Sequence, residues 1–147
     1  MIVVDIQDLQ EMFDIDADLI GDWAQKTLMF VGLENAELSV VLTDDSHIRE
    51  LNRTYLDRDR PTNVISFPQQ EGEGPEGTHL GDIVISVERS ADEAHDSGMD
   101  TMERIMELLV HGICHLIGYN HEGVSEEKSR EMEEAQDRIL NCLRTDV

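Results

Sequence analysis

Cysteine and lysine are both scarce in this chain of 147 residues, and long apolar runs are missing. Cys114 and Cys142 are too few to staple a small secreted scaffold. A disulfide framework is therefore excluded, and a reducing, cytoplasmic setting is expected. No apolar run approaches the roughly 20 residues that a membrane span needs. The opening stretch MIVVDIQDLQEMFDID turns acidic at once and has no basic segment ahead of a hydrophobic one, so neither a secretory signal nor membrane attachment is expected. Hydrophobic residues still make up 39% of the chain, and a chain of this length typically buries roughly 68–70% of its unfolded surface. An intrinsically disordered chain is excluded on the same ground, and residues 1–147 read as a single domain.

Positive charge is the other shortage. Eleven Lys and Arg face 33 Asp and Glu, for a net charge of −22, and the only lysines are Lys26 and Lys128. Non-specific grip on nucleic acid depends on cations that neutralise phosphates, so a general polynucleotide binder is disfavoured. The arginines are unevenly spread: Arg49, Arg53, Arg58 and Arg60 fall within one twelve-residue stretch. Such a patch on an acidic body either lies on a solvated helix face or holds an anionic ligand locally.

Strands and helices alternate along the chain. IVVDIQ (residues 2–7) reads as a strand, and residues 14–31 as an amphipathic helix with Ile15, Leu19, Trp23, Leu28 and Val31 on its apolar side and Gly32 as its stop. A strand at 37–43 is followed by the capping residues Asp44, Asp45 and Ser46 and a helix to Tyr55. NVISF (63–67) is a strand bracketed by Pro61 and Pro68, which suits a sheet edge. QQEGEGPEGT (69–78) has no apolar anchor and is expected to be a mobile loop. LGDIVISV (80–87) is a strongly apolar, central strand. Helices follow at 88–97, ending near Gly98, at 101–117 capped by Asp100, and at 126–143 capped by Ser125. The expected fold is α+β, a small mixed sheet of about four strands packed with helices.

The chemistry concentrates in TMERIMELLVHGICHLIGYNH (101–121). This helix is apolar over most of its circumference and is therefore buried. Its polar residues Arg104, Glu107, His111 and His115 recur at offsets of three and four and form one stripe. His111 and His115 stand one turn apart, with Cβ atoms roughly 5–6 Å apart, and can converge on one ion. Gly118 suits a left-handed helix stop, after which His121 can swing back toward the pair. Three imidazoles with a fourth position open form the pattern of a catalytic zinc site, one per chain. Metalloproteases of the H-E-x-x-H-x-x-G-x-x-H type place histidines and glycine at the same offsets. Here Gly112 stands where their glutamate base stands, so the metal site survives the comparison and the peptidase reading loses its general base.

HGICHLIGYNHE (111–122) closely resembles the signature H-G-x-L-H-L-x-G-Y-D-H of the YbeY family of metal-dependent endoribonucleases, also described as rRNA maturation factors. LNRTYLDRDRPTNVISFP (51–68) and LGDIVIS (80–86) resemble two further blocks of that family, in the right order. The resemblance implies a zincin-like helix carrying zinc on His111, His115 and His121. It also implies cleavage of single-stranded RNA, maturation of ribosomal RNA at the small-subunit 3′ end, ribosome quality control, and partners on the small subunit with its assembly factors. The chain departs from the family at three positions: Leu56 replaces an arginine thought to contact substrate, Asn120 replaces an Asp, and Cys114, which reads as a packing residue, stands where Leu is usual. Arg53, Arg58 and Arg60 are then the candidates for phosphate contact, since a guanidinium forks onto phosphate oxygens.

Several roles stay open at this level. Zinc would yield hydroxide at neutral pH or polarise a phosphoryl oxygen while the ribose 2′-hydroxyl attacks. Glu107 is a candidate general base or an ion-pair partner of Arg104. Asp82 is either a partner of a metal ligand or a strand-end cap, Thr62 and Ser66 are candidate groove residues, and His47, His79 and His95 are surface or packing residues. Two other readings remain beside the nuclease: a zinc hydrolase of another substrate such as peptide, and a ribosome-assembly factor with weak nuclease activity.

Overall fold

A computed structural model describes residues 1–68, 79–118 and 126–145. The expectations placed on 69–78 and on Tyr119, Asn120, His121 and Ser125 lie outside the described residues. The order of elements is β1 (Ile2–Asp8), α1 (Ala17–Phe30), β2 (Ala36–Thr43), α2 (Asp45–Leu56), β3 (Val64–Pro68), β4 (His79–Ser86), α3 (Val87–Ser97), α4 (Thr101–Leu116) and α5 (Glu126–Thr145). The four strands form one mixed sheet in the order β1-β2-β4-β3. β1, β2 and β4 run parallel, and β3 pairs antiparallel with β4. The apolar β4 is thus interior, and the proline-bracketed β3 is an edge. Among the described residues no helix is long and apolar enough to cross a membrane.

Alternation along the strands sorts the side chains between two faces. Leu38, Val40 and Leu42 of β2 and Ile83 and Ile85 of β4 join Ile20, Ala24 and Leu28 of α1 and Ile105, Leu109 and Ile113 of α4 in the main core. On the opposite face Val84 and Ile65 meet Ile48 of α2. α4 is apolar on two sides because it is sandwiched. Its Met106, Val110 and Cys114 pack on Met132, Ile139, Leu140 and Leu143 of α5.

Two expectations are corrected. The buried face of α1 is Ile20, Ala24, Thr27 and Leu28, whereas Leu19 is 38% exposed. Leu28 is buried as expected, Gly21 lies against Ile6, Ile15 and Trp23 pack on the main core, and Trp23 and Val31 also pack toward the α5 cluster. Asp100 occupies the N-cap position of α4 but makes no side-chain capping bond. Asp16, Asp44 and Ser86 do cap α1, α2 and α3, through bonds to Leu19, His47 and Arg89 amides.

Candidate functional site

The last two turns of α4 bring His111 and His115 together. Their Nε2 atoms lie 2.9 Å apart, with ring centroids 4.4 Å apart and planes at 73°. One ring donates an N–H to the lone pair of the other, which brings the two Nε2 atoms within hydrogen-bond distance. Two nitrogens on one tetrahedral zinc at roughly 2.0–2.1 Å stand about 3.3 Å apart, and an opening of a few tenths of an ångström would admit the ion. The donor pair therefore fits zinc. Among the described residues no group of three or more His, Cys, Asp or Glu converges, and His121 lies outside them. Gly118 adopts φ +111°, the positive value expected where the chain leaves the helix.

Gly112 sets how closely α4 can approach the sheet. A Cβ there would lie 3.2 Å from Ile83 Cδ1, Ile83 Cγ2 and Ser66 Oγ. Ser66 Oγ donates to the Gly112 carbonyl at 3.3 Å, tying β3 to α4 beside the histidines. A side chain at this position, such as the glutamate of the metalloprotease pattern, would press against the packed sheet.

A cleft of about 400 Å³ opens over the pair. His111, His115, Ser66, Thr62, Arg58 and Arg60 line it, and so does Leu56, the residue that stands where the family resemblance places an arginine. The four arginines of the 49–60 stretch are sorted. Arg49 Nε donates to Asp59 Oδ1 at 2.8 Å, and Arg53 is ion-paired with Glu50, both on the exposed face of α2. These hydrogen bonds hold the Asp59 and Glu50 carboxyls below the usual carboxylate range and raise their arginine partners. Among the described residues Arg58 and Arg60 make no ion pair, and they are the two that face the cleft.

The turn that presents them is anchored by Asn52. Asp57 ends α2 in the left-handed conformation at φ 57°. The Asn52 carbonyl then accepts from the Arg58 amide at 3.1 Å, and its buried side-chain Nδ2 donates to the Arg60 carbonyl at 2.9 Å. Asn52 was not among the residues singled out from sequence. Its signal was a polar residue four positions after Ile48, on the buried face of α2.

The rest of the α4 stripe is engaged in ion pairs. Glu107 accepts from Arg104 Nη1 at 3.0 Å and from Arg144 Nη2 at 3.4 Å, so both of its oxygens face arginines. Burial works against the Arg104 charge, but hydrogen bonds to Glu107 and Glu93 outweigh it and raise its pKa. Gln136 on α5 places its Nε2 2.9 Å from His111 Nδ1. Gln136 too went unremarked in the sequence, although it is the polar member of a stripe otherwise formed by Met132, Ala135, Ile139, Leu140 and Leu143. Asp82 lines a different cavity, with Tyr55 and Phe67. His47 bonds Thr43, and His79 lies 3.6 Å from Glu37. Cys114 is fully buried, and burial pushes its thiol up to about 11.

Known proteins resemble this chain along most of its length. The family described as Endoribonuclease YbeY matches residues 5–144. A protein named Endoribonuclease YbeY from Aquifex aeolicus is 48% identical over 118 residues, covering 79% of this chain and 78% of the relative. Another of that name, from Geobacter metallireducens, is 41% identical over 142 residues and covers 95% of both. A solution structure from Thermotoga maritima superposes with a TM-score of 0.67 at 26% identity, covering 97% of this chain and 89% of the other.

Proposed function

The chain belongs to the Endoribonuclease YbeY family, and from that premise we propose that it is a zinc-dependent endoribonuclease that cuts single-stranded RNA. In this reading it works in ribosomal RNA maturation, at the small-subunit 3′ end, and in ribosome quality control in the cytoplasm. Small-subunit components and assembly factors are its partners. One zinc per chain is held by His111, His115 and His121. When bound, zinc supplies Lewis acidity, which brings the pKa of water toward 7 or polarises a phosphoryl oxygen.

The chain's own residues then orient and neutralise the scissile phosphate. Arg58 and Arg60, presented by one turn, line the same cleft as the histidines, and a guanidinium can fork onto two phosphate oxygens. With no ion pair among the described residues they are available to the ligand, and they offset the extra negative charge of a pentacoordinate phosphorus. Asn52 keeps that turn in place before substrate arrives, so little reorganisation is needed. β3, an edge strand with Ser66 in the same cleft, gives an extended RNA backbone a rail to lie along. Glu107, with both oxygens engaged, braces Arg104 and the α4–α5 contact.

The observation that carries this reading is the sorting of the arginines. Among the described residues the two that line the histidine cleft make no ion pair, and the other two, on α2, are paired. The test is cleavage of an end-labelled single-stranded RNA by highly purified protein. His115→Ala is expected to abolish cleavage with the fold intact by circular dichroism. Arg58→Ala and Arg60→Ala are each expected to lose roughly 10–100-fold, since a charge-assisted hydrogen bond contributes about 1.5–3 kcal/mol. Full activity in the double arginine variant would refute the assignment. Metal-dependent turnover of casein would favour a peptide hydrolase instead. The net charge of −22 favours a ribosome-assembly factor with weak nuclease activity as the second reading, and RNA cleavage that survives His115→Ala would favour it.

A further inference from the structure

We infer that Gln136 is a positioning residue for His111, its amide deciding which ring nitrogen carries the proton and thereby turning Nε2 into a metal ligand. The inference rests on the histidine zinc site proposed above. A neutral imidazole has one N–H and one lone pair, so its two nitrogens always differ in role. In His111, Nε2 faces His115 and Nδ1 faces Gln136, each at 2.9 Å. For Nε2 to offer its lone pair to an ion, the proton must sit on Nδ1, and that N–H needs an acceptor.

Gln136 can supply that acceptor because an amide carries both roles on one carbon. Rotation by half a turn about its last bond exchanges Nε2 for Oε1 at the same place. With the amide N–H toward the ring, the proton of His111 is on Nε2 and is donated to His115, which is the arrangement that closes the pair. With Oε1 toward the ring, the proton moves to Nδ1 and the Nε2 lone pair faces the cleft. A carboxylate would accept from Nδ1 and could not donate to it. The amide therefore serves the pair in both states.

Packing alone does not account for glutamine at this position. Gln136 lies four residues from Met132 and four from Leu140, inside the stripe of α5 that packs on α4. It is half-buried, where an apolar side chain would add to the cluster. The polar choice has a partner within reach, and that partner is the far nitrogen of a candidate metal ligand.

The test uses the full chain, with Zn²⁺ as the probe and a chromophoric chelator as competitor. Gln136→Leu is expected to weaken zinc binding roughly 10–100-fold, and Gln136→Glu, which restores an acceptor, is expected to recover it. Nitrogen-15 NMR of the zinc-loaded wild-type chain gives a readout that needs no variant: His111 is expected to carry its proton on Nδ1. Unchanged zinc affinity in a folded Gln136→Leu, or an unprotonated Nδ1 in the loaded wild type, would overturn the inference and leave the zinc site standing. If the wild-type chain binds zinc no better than His115→Ala, the zinc site itself falls, and the inference falls with it.

Discussion

Gly112 lies where the candidate site meets the core, and substituting it separates two opposing effects. Alanine is favoured over glycine in a helix interior by about 0.8–1.0 kcal/mol. At Gly112, however, the new methyl would meet Ile83 at two carbons and Ser66 Oγ, all at 3.2 Å. Comfortable carbon contacts are about 3.5–4.0 Å, so several tenths of an ångström must be found. Ile83 is fully buried between α1 and α4 and cannot swing into solvent. Overpacking of this kind costs about 1–3 kcal/mol, giving a net loss of about 0–2 kcal/mol for Gly112→Ala once helix propensity is included. Gly21 of α1 provides the control, because a Cβ there would meet only Ile6 Cγ1, at an ordinary 3.6 Å. Gly21→Ala should therefore be neutral or stabilising by up to about 1 kcal/mol. Urea unfolding of the two variants beside the wild type, with unchanged m-values, measures the difference directly. Gly112→Glu should be worse than Gly112→Ala, since it drives a carboxylate into the same gap, and it should not create a peptidase. If Gly112→Ala were as stable as Gly21→Ala, the close approach of α4 to the sheet would be wrong. The account of the missing glutamate would then be wrong with it.

Other substitutions and titrations follow from the same structure. Gly81→Ala would set a methyl 2.3 Å from the Phe67 carbonyl oxygen at φ +142°, and urea unfolding should show a loss of about 2–4 kcal/mol. Gly98→Ala, at φ +70° with nothing within 4 Å, should lose only about 1–2 kcal/mol; equal losses would refute the clash. Cys142 is exposed and should react promptly with Ellman's reagent, whereas buried Cys114, its thiol pushed up to about 11, should react only on unfolding. Because the folded thiol resists ionisation, its contribution to stability is complete at neutral pH and declines as pH rises from about 9 toward 11, where the unfolded chain ionises first. A single strand held by two arginines should give a binding slope against log salt of about −1.4, falling to about −0.7 in Arg58→Ala; a much steeper wild-type slope would mean that other cations carry the RNA.

Local pattern carried much of the fold into the sequence, and docking decided the rest. The interior β4 and the edge β3 were legible because apolar continuity and flanking prolines report burial and edge position directly. The histidine pair was legible because a spacing of four residues on a helix fixes a shared face whatever lies opposite. Of the apolar side expected for α1, Leu28 is buried and Ile15, Trp23 and Val31 pack on the core, but Leu19 is exposed, and Ile20, Ala24 and Thr27 complete the buried face. That choice is made by the sheet and by α5, which a single helix does not announce. The same holds for Gln136, whose role depends on where α5 settles against α4. It holds most of all for the arginines. Four of them within twelve residues looked alike in sequence, yet a left-handed residue at Asp57 and two bonds from Asn52 turn Arg58 and Arg60 into the cleft, leaving Arg49 and Arg53 to pair with neighbouring carboxylates. A net charge of −22 describes the body of the molecule. The sign of the field at the histidines depends on which guanidinium groups the backbone brings to their cleft.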